Sequence, residues 1–243
     1  LFLVAFFLLN LIQAFFTELI YDEAYYWVYA QNLDWGYFDH PPMVAVLIWL
    51  GSLFFDGELG VRLLSCILNA GTIALIWSLV DSPKKQAHVP HFFFMLFAMA
   101  LFNAYGFLTL PDTPLLFFTA LFLFVYKIFL ARPGYLISLF LGFVMACLMY
   151  SKYHAILVIL FVLASNLSLL KNKYAWIAVG VSLVCYIPHF YWLFENDFVS
   201  IEYHISERPN QPYTFTGFTL GYLLNLAVNF GLLFPWFYYA LFT

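Results

Sequence analysis

Continuous apolar runs of near-membrane length recur from Leu1 to Thr243, and no other feature constrains the fold of this chain as strongly. A backbone surrounded by hydrocarbon must satisfy its own N–H and C=O groups, so only helices and closed barrels cross a bilayer. A helix needs about 20 predominantly apolar residues to do so. Barrel strands alternate apolar and polar positions over about ten residues, and these runs do not alternate. Apolar length therefore predicts helices over 1–20, 60–80, 89–109, 114–131, 134–150, 154–170, 174–193 and 217–241. The fold class expected is all-α: a polytopic membrane protein of about eight transmembrane helices.

Composition agrees, because 65% of the residues are hydrophobic and 9% charged. A soluble domain has about 45–50% and about 25%. The net charge of −4 says little about partners, because in a membrane protein the side of each charge matters more than the sum; nucleic acid is not expected. Cys66, Cys147 and Cys185 lie inside apolar runs without metal-ligand or redox spacing, and read as small buried hydrophobes. We expect one transmembrane domain over 1–243, the N-terminal part of a longer chain.

The run 41–55 is also apolar, but short for a span and led by Pro41-Pro42, which suits a re-entrant or interfacial helix. Lys84 and Lys85, Lys127 and Arg132, and Lys171 and Lys173 are each separated from the next set by two helices, so all six fall on one face, which the positive-inside rule makes cytoplasmic. If 41–55 does not cross, the first loop 21–58 shares the outward face with Asp112, Lys152 and a second large loop 194–216; if it crosses, that loop splits between the two sides.

The first loop concentrates charge. Of the chain's 13 acidic residues, Asp22, Glu23, Asp34, Asp39, Asp56 and Glu58 fall in it. Residues 21–32 read as a helix lying along the membrane surface, with Tyr21, Tyr25, Tyr26, Trp27 and Tyr29 at headgroup level. Asp22 and Glu23 leave a helix about 100° apart. One can therefore face a cavity while the other caps or pairs.

The outward side collects Asp22, Glu23, Asp39, His40, Arg62, Asp112, Lys152, His154, His204 and Arg208. Each has a plain reading: Asp112 as a helix cap, Arg62 snorkelling to the interface, Lys152 and His154 as a solvated connection. Together they read as a boundary site for an anionic, lipid-linked group beside an acid–base pair, because ionisable groups there are costly unless they face a cavity or one another. Lys152, His40 and Arg62 can hold phosphate, and Asp22 can take a proton from an attacking hydroxyl or amine.

The ordered motifs YDEAYYW (21–27), FDHPP (38–42), GVRLLS (60–65), PDTPLLFF (111–118), SKYHA (151–155) and EYHISERP (202–209) resemble the dolichyl-phosphate-mannose–protein mannosyltransferase-like superfamily. That superfamily includes the bacterial aminoarabinose transferases that modify lipid A. The resemblance implies a membrane glycosyltransferase of the C-type architecture, with outward interfacial helices in its first loop and an extracytoplasmic site at the inner membrane. It implies a polyprenyl-phosphate sugar as donor, membrane lipids as surroundings, and protein, lipid A or a glycan as acceptor. By the same resemblance Asp22 is the general base, Asp112 the second catalytic aspartate, and Lys152, His40 and Arg62 donor-phosphate ligands, with Glu23, His154 and Arg208 in support. His40 stands where aminoarabinose transferases carry lysine. No cofactor is firmly implied; a divalent metal is an open option, with Asp39 and His204 matching a metal-ligand pair of some relatives. A transporter or flippase of lipid-linked sugars is the alternative, disfavoured because such proteins place ionisable groups near mid-membrane.

Overall fold

The computed structural model describes residues 1–207, 213–231 and 239. Twelve α-helices occur among them: α1 Phe2–Phe16, α2 Tyr21–Gln31, α3 Met43–Ser52, α4 Gly57–Leu79, α5 Val89–Ala98, α6 Ala100–Ala104, α7 Asp112–Ala131, α8 Tyr135–Ser151, α9 Ala155–Ser165, α10 Lys173–Glu195, α11 Val199–Glu202 and α12 Gly221–Phe230. No strand occurs among the described residues. By length and composition α4, α7 and α10 can each cross a membrane, and α1 with α2 passes the same test as a pair bent by 83°. The apolar helices α3, α8 and α9 are shorter.

Three expected helices differ in extent, two of them for a visible reason. The first ends at Phe16 rather than near residue 20, because Thr17 is extended and the Arg62 guanidinium takes the carbonyls of Ala14, Thr17 and Glu18. Those carbonyls are orphaned at a helix C-terminus and need outside donors. The run 89–109 is broken at Met99, whose backbone is extended, and the Asn103 amide holds the break by reaching the carbonyls of Leu96, Phe97 and Met99. The run 154–170 gives α9 and then a 3₁₀ turn, Leu167–Lys171. The last expected helix is described only as a π turn, Phe215–Leu220, and α12; its remainder lies largely outside the described residues. Helix α3 is the short element expected from 41–55. Its 10 residues rise about 15 Å, half the hydrocarbon thickness.

Helices α7, α8 and α10 pack around Phe122, Val125, Phe129, Leu141, Val144, Met145, Leu148 and Ala178. The close crossing of α8 on α10 depends on Gly142, where a Cβ would lie 2.4 Å from the Ala178 carbonyl oxygen. Small residues at such crossings let helix backbones approach in lipid. Gly142→Ala is therefore expected to cost about 1–3 kcal/mol, measured as a lower unfolding midpoint in detergent. A second core beneath α2 and α3, made of Tyr26, Ala30, Val44, Ile48, Val61 and Leu110, seats the first loop on the bundle.

Charges separate along the helix axes. Lys127 Nζ lies 3.6 Å from Asp81 Oδ2, which puts the 81–85 connection and the end of α7 at one end of the bundle. At the opposite ends of α4 and α7 stand Arg62 and Asp112. Lys127 and the 81–85 connection thus share one end of the bundle, and Arg62 and Asp112 stand at the other.

Candidate functional site

The adjacent acids of α2 separate as their 100° offset requires. Asp22 is exposed, without a hydrogen-bond or ion-pair partner among the described residues, whereas Glu23 is fully buried. Glu23 accepts from Arg62 Nε at 2.8 Å and from Arg62 Nη2, from the Thr109 amide at 2.9 Å, and from the Ile20 amide at 3.1 Å. Arg62 is likewise fully buried. Its five N–H groups are all taken by Glu23 and the three carbonyls that end α1. This corrects the expectation that Arg62 holds phosphate, because it has no donor left for one. Glu23, expected to pair or support, is the anchor joining α1, α2, α4 and the 109 loop.

Asp112 begins α7, and its carboxylate turns to Lys152 rather than to the helix amides: Lys152 Nζ donates to Oδ1 at 2.8 Å. Lys152 reaches it because the chain is extended where α8 ends, with φ −165° and ψ 143°. The Lys152 side chain is 22% exposed and that of Asp112 49%, so the pair stays open on one side.

Tyr26 joins the carboxylates. It lies one turn after Asp22, is 8% exposed, and sits edge-on to His40 with ring centroids 5.5 Å apart. Burial first, then the Asp39, Asp22 and Asp112 carboxylates, push its hydroxyl far above the ordinary range, so it remains protonated. Asp22, Asp39 and Asp112, separated in sequence, thus bear on one phenol.

Tyr25 and Tyr29, expected at headgroup level, turn inward. Their hydroxyls contact each other and donate to Asp39 Oδ1 at 3.3 and 3.0 Å. Burial pushes the Asp39 carboxyl up, but His40 and the two tyrosine hydroxyls outweigh it and hold Asp39 below the usual range. His40 Nδ1 is 3.0 Å from Asp39 Oδ2, an ion-pair contact without hydrogen-bond alignment. The sequence marked aromatics in 21–29 but carried no signal that Tyr25 and Tyr29 donate to Asp39.

Asp39 and His204 meet, though not as a ligand pair. His204 Nε2 lies 2.8 Å from the Asp39 main-chain oxygen, while the carboxylate faces Tyr25, Tyr29 and His40. Among the described residues no three His, Cys, Asp or Glu side chains are grouped to hold a metal. The two side chains as placed do not fit a shared ion. His154, at the start of α9, is exposed and lies 6.1 Å from His204 between ring centroids. Arg208 lies outside the described residues.

Two cavities are present among the described residues, and Asp22, Asp112 and Lys152 line neither of them. One of about 430 Å³ is lined by Asp34, Trp35, Met43, Val46 and Tyr150, under the first loop. The other, about 380 Å³ and almost wholly apolar, lies between α8, α9 and α10, bordered by Met145, Met149, Ile156, Leu160, Tyr186 and Phe190.

Comparison with known proteins follows the same lines. The lipid A galacturonosyltransferase RgtD of Rhizobium johnstonii is 26% identical over 196 residues, which cover 77% of this chain and 41% of that protein. The crystal structure of apo ArnT from Cupriavidus metallidurans superposes with a TM-score of 0.70 at 16% identity, over 96% of this chain and 49% of ArnT. The chain thus spans less than half the length of each of these relatives, and the second likeness shows the fold. Residues 39–192 match the sequence profile of dolichyl-phosphate-mannose-protein mannosyltransferases. That stretch holds the α3–α10 bundle with Asp39, His40, Arg62, Asp112 and Lys152, and by it the chain belongs to the dolichyl-phosphate-mannose-protein mannosyltransferase family.

Proposed function

We propose that the protein transfers a sugar from a polyprenyl-phosphate donor to an acceptor at the extracytoplasmic face of the inner membrane. The observation that carries this reading is the half-open Asp112–Lys152 pair, at the same bundle end as an exposed, unengaged Asp22. A lysine held by one carboxylate oxygen keeps other N–H donors for a phosphate, and Asp22 is free to accept a proton.

The chemistry is a single displacement. Asp22 takes the proton of an acceptor hydroxyl or amine, whose lone pair forms a bond to the anomeric carbon. The bond from that carbon to the phosphate oxygen breaks, and polyprenyl phosphate leaves with the electron pair. Lys152 stabilises the charge growing on that oxygen, held in place by Asp112. His40, backed by the Asp39 carboxylate, is the second candidate for the phosphate. The name of the Rhizobium relative supports lipid A as acceptor, with protein and glycan as the other classes.

The test uses the full-length protein in nanodiscs with radiolabelled polyprenyl-phosphate sugars and membrane extract as acceptor. Release of polyprenyl phosphate and transfer of label are expected from wild type. Lys152→Ala is expected to weaken donor binding by about tenfold or more, the loss of one charge-assisted contact of about 1.5–3 kcal/mol. Donor bound by wild type but never cleaved would sink the reading and favour movement of the lipid between leaflets.

A further inference from the structure

The segment 34–39 has no regular secondary structure, yet three alternate carbonyls along it are each held by a side chain from the far end of α10 or just beyond. His189 Nδ1 lies 2.6 Å from Trp35 O, Ser200 Oγ donates to Tyr37 O at 2.6 Å, and His204 Nε2 lies 2.8 Å from Asp39 O. Trp192 Nε1 donates to Asp34 Oδ2 at 2.9 Å. The Trp192 ring also presses on Gly36 so closely that a Cβ there would lie 2.4 Å from its Cε3.

The holding side chains are themselves held. A carbonyl oxygen only accepts, so the Nδ1 of His189 carries the ring proton and Nε2 is left as an acceptor. His189 is fully buried, with its ring 5.6 Å from that of Tyr153 and 4.9 Å from that of Tyr186, so it has little freedom to swing away. Between α10 and α11, Asp197 and Phe198 both adopt left-handed backbone, at φ 51° and 55°. Non-glycine residues occupy that region at a cost, which the surroundings must overdetermine. This turn directs Ser200 and His204 back over the first loop.

The held segment in turn registers α2. Tyr37 stacks on Tyr29 with centroids 4.0 Å apart and 6° between planes, and its hydroxyl bonds to Tyr29 O and Asn32 O at 3.0 and 3.1 Å. Asp39 accepts from Tyr25 and Tyr29, one and two turns after Asp22. We propose that His189 and Ser200 are positioning residues, which clamp the 35–39 segment to α10 and α11 and thereby set the place of Asp22. The kinetic half of this inference rests on the transferase reading; the structural half does not.

The experiment compares full-length wild type with His189→Phe, His189→Asn and Ser200→Ala in nanodiscs. It measures backbone hydrogen exchange over 33–41 alongside donor binding and steady-state transfer from a radiolabelled polyprenyl-phosphate sugar. In His189→Phe and Ser200→Ala, exchange over 33–41 is expected to rise by about tenfold or more while α4 and α7 stay protected. The kcat is expected to fall by about tenfold or more, and by more than donor binding weakens, because small displacements of a reacting group are costly. His189→Asn keeps an N–H near the Nδ1 position and is expected to recover most of both. Unchanged exchange over 33–41, or exchange rising equally throughout the bundle, would overturn the clamp. A loosened segment with unchanged kcat would overturn its positioning role. If exchange responds but wild type itself transfers no sugar, the clamp stands and the transferase reading falls.

Discussion

Replacing Asp22 by asparagine is expected to lower sugar transfer by about 10²–10⁴-fold while binding of the lipid-linked donor is retained. The side chain is exposed on the first turn of α2 and no described group competes for it, so the exchange removes a proton acceptor and disturbs no packing. Asparagine keeps the shape and the carbonyl oxygen but cannot take a proton at neutral pH. The loss should therefore fall on kcat, with the donor dissociation constant unchanged, because the proposed phosphate contacts are Lys152 and its neighbours. Single-turnover transfer with saturating labelled donor measures this directly. A variant that transfers sugar at the wild-type rate would remove Asp22 from the chemistry and direct attention to Asp112.

Replacing Arg62 by alanine is expected to destabilise the fold by about 3–5 kcal/mol, the cost of leaving one member of a buried ion pair alone. Three deficits arise together: an unpaired Glu23 carboxylate, carbonyls at the end of α1 without donors, and a void where the stem was packed. Denaturant or thermal unfolding in detergent reads the loss. Converting both partners, as Glu23→Gln with Arg62→Met, should cost less than the sum of the single changes, because no charge is then buried unpaired. The same comparison separates structure from chemistry. If Arg62→Ala folded normally and lost only donor affinity, the guanidinium would be a phosphate ligand after all, despite its engaged donors.

These two residues show what a linear reading can and cannot resolve. The periodicity of a helix fixes that Asp22 and Glu23 diverge, and this alone implies that one is outward and one paired. Which partner Glu23 finds depends on a packing distance across 39 residues of chain, and nothing in GVRLLS distinguishes a buried fork from a snorkelling one. Arg62 was legible as a costly cation at a helix mouth. That it closes the end of α1 was not, because capping by a distant side chain leaves no local pattern. Asp112 and Lys152 were legible as same-side residues from the alternation of helices, but their 2.8 Å contact needed the extended backbone at the end of α8. His189 and Ser200 carried no signal, since a histidine in an apolar run and a serine after a turn are ordinary features of membrane helices.

Apolar length by itself determined that the chain is a helical membrane protein and that 41–55 forms a helix shorter than a usual span. Hydrocarbon leaves a backbone so few options that these conclusions need no neighbours. Only the tertiary structure decided which acid is buried, where the first and fifth helices stop, and which loop carbonyls are held in place. Those outcomes turn on hydrogen bonds between residues far apart in the chain, whose geometry exists only once the helices have packed.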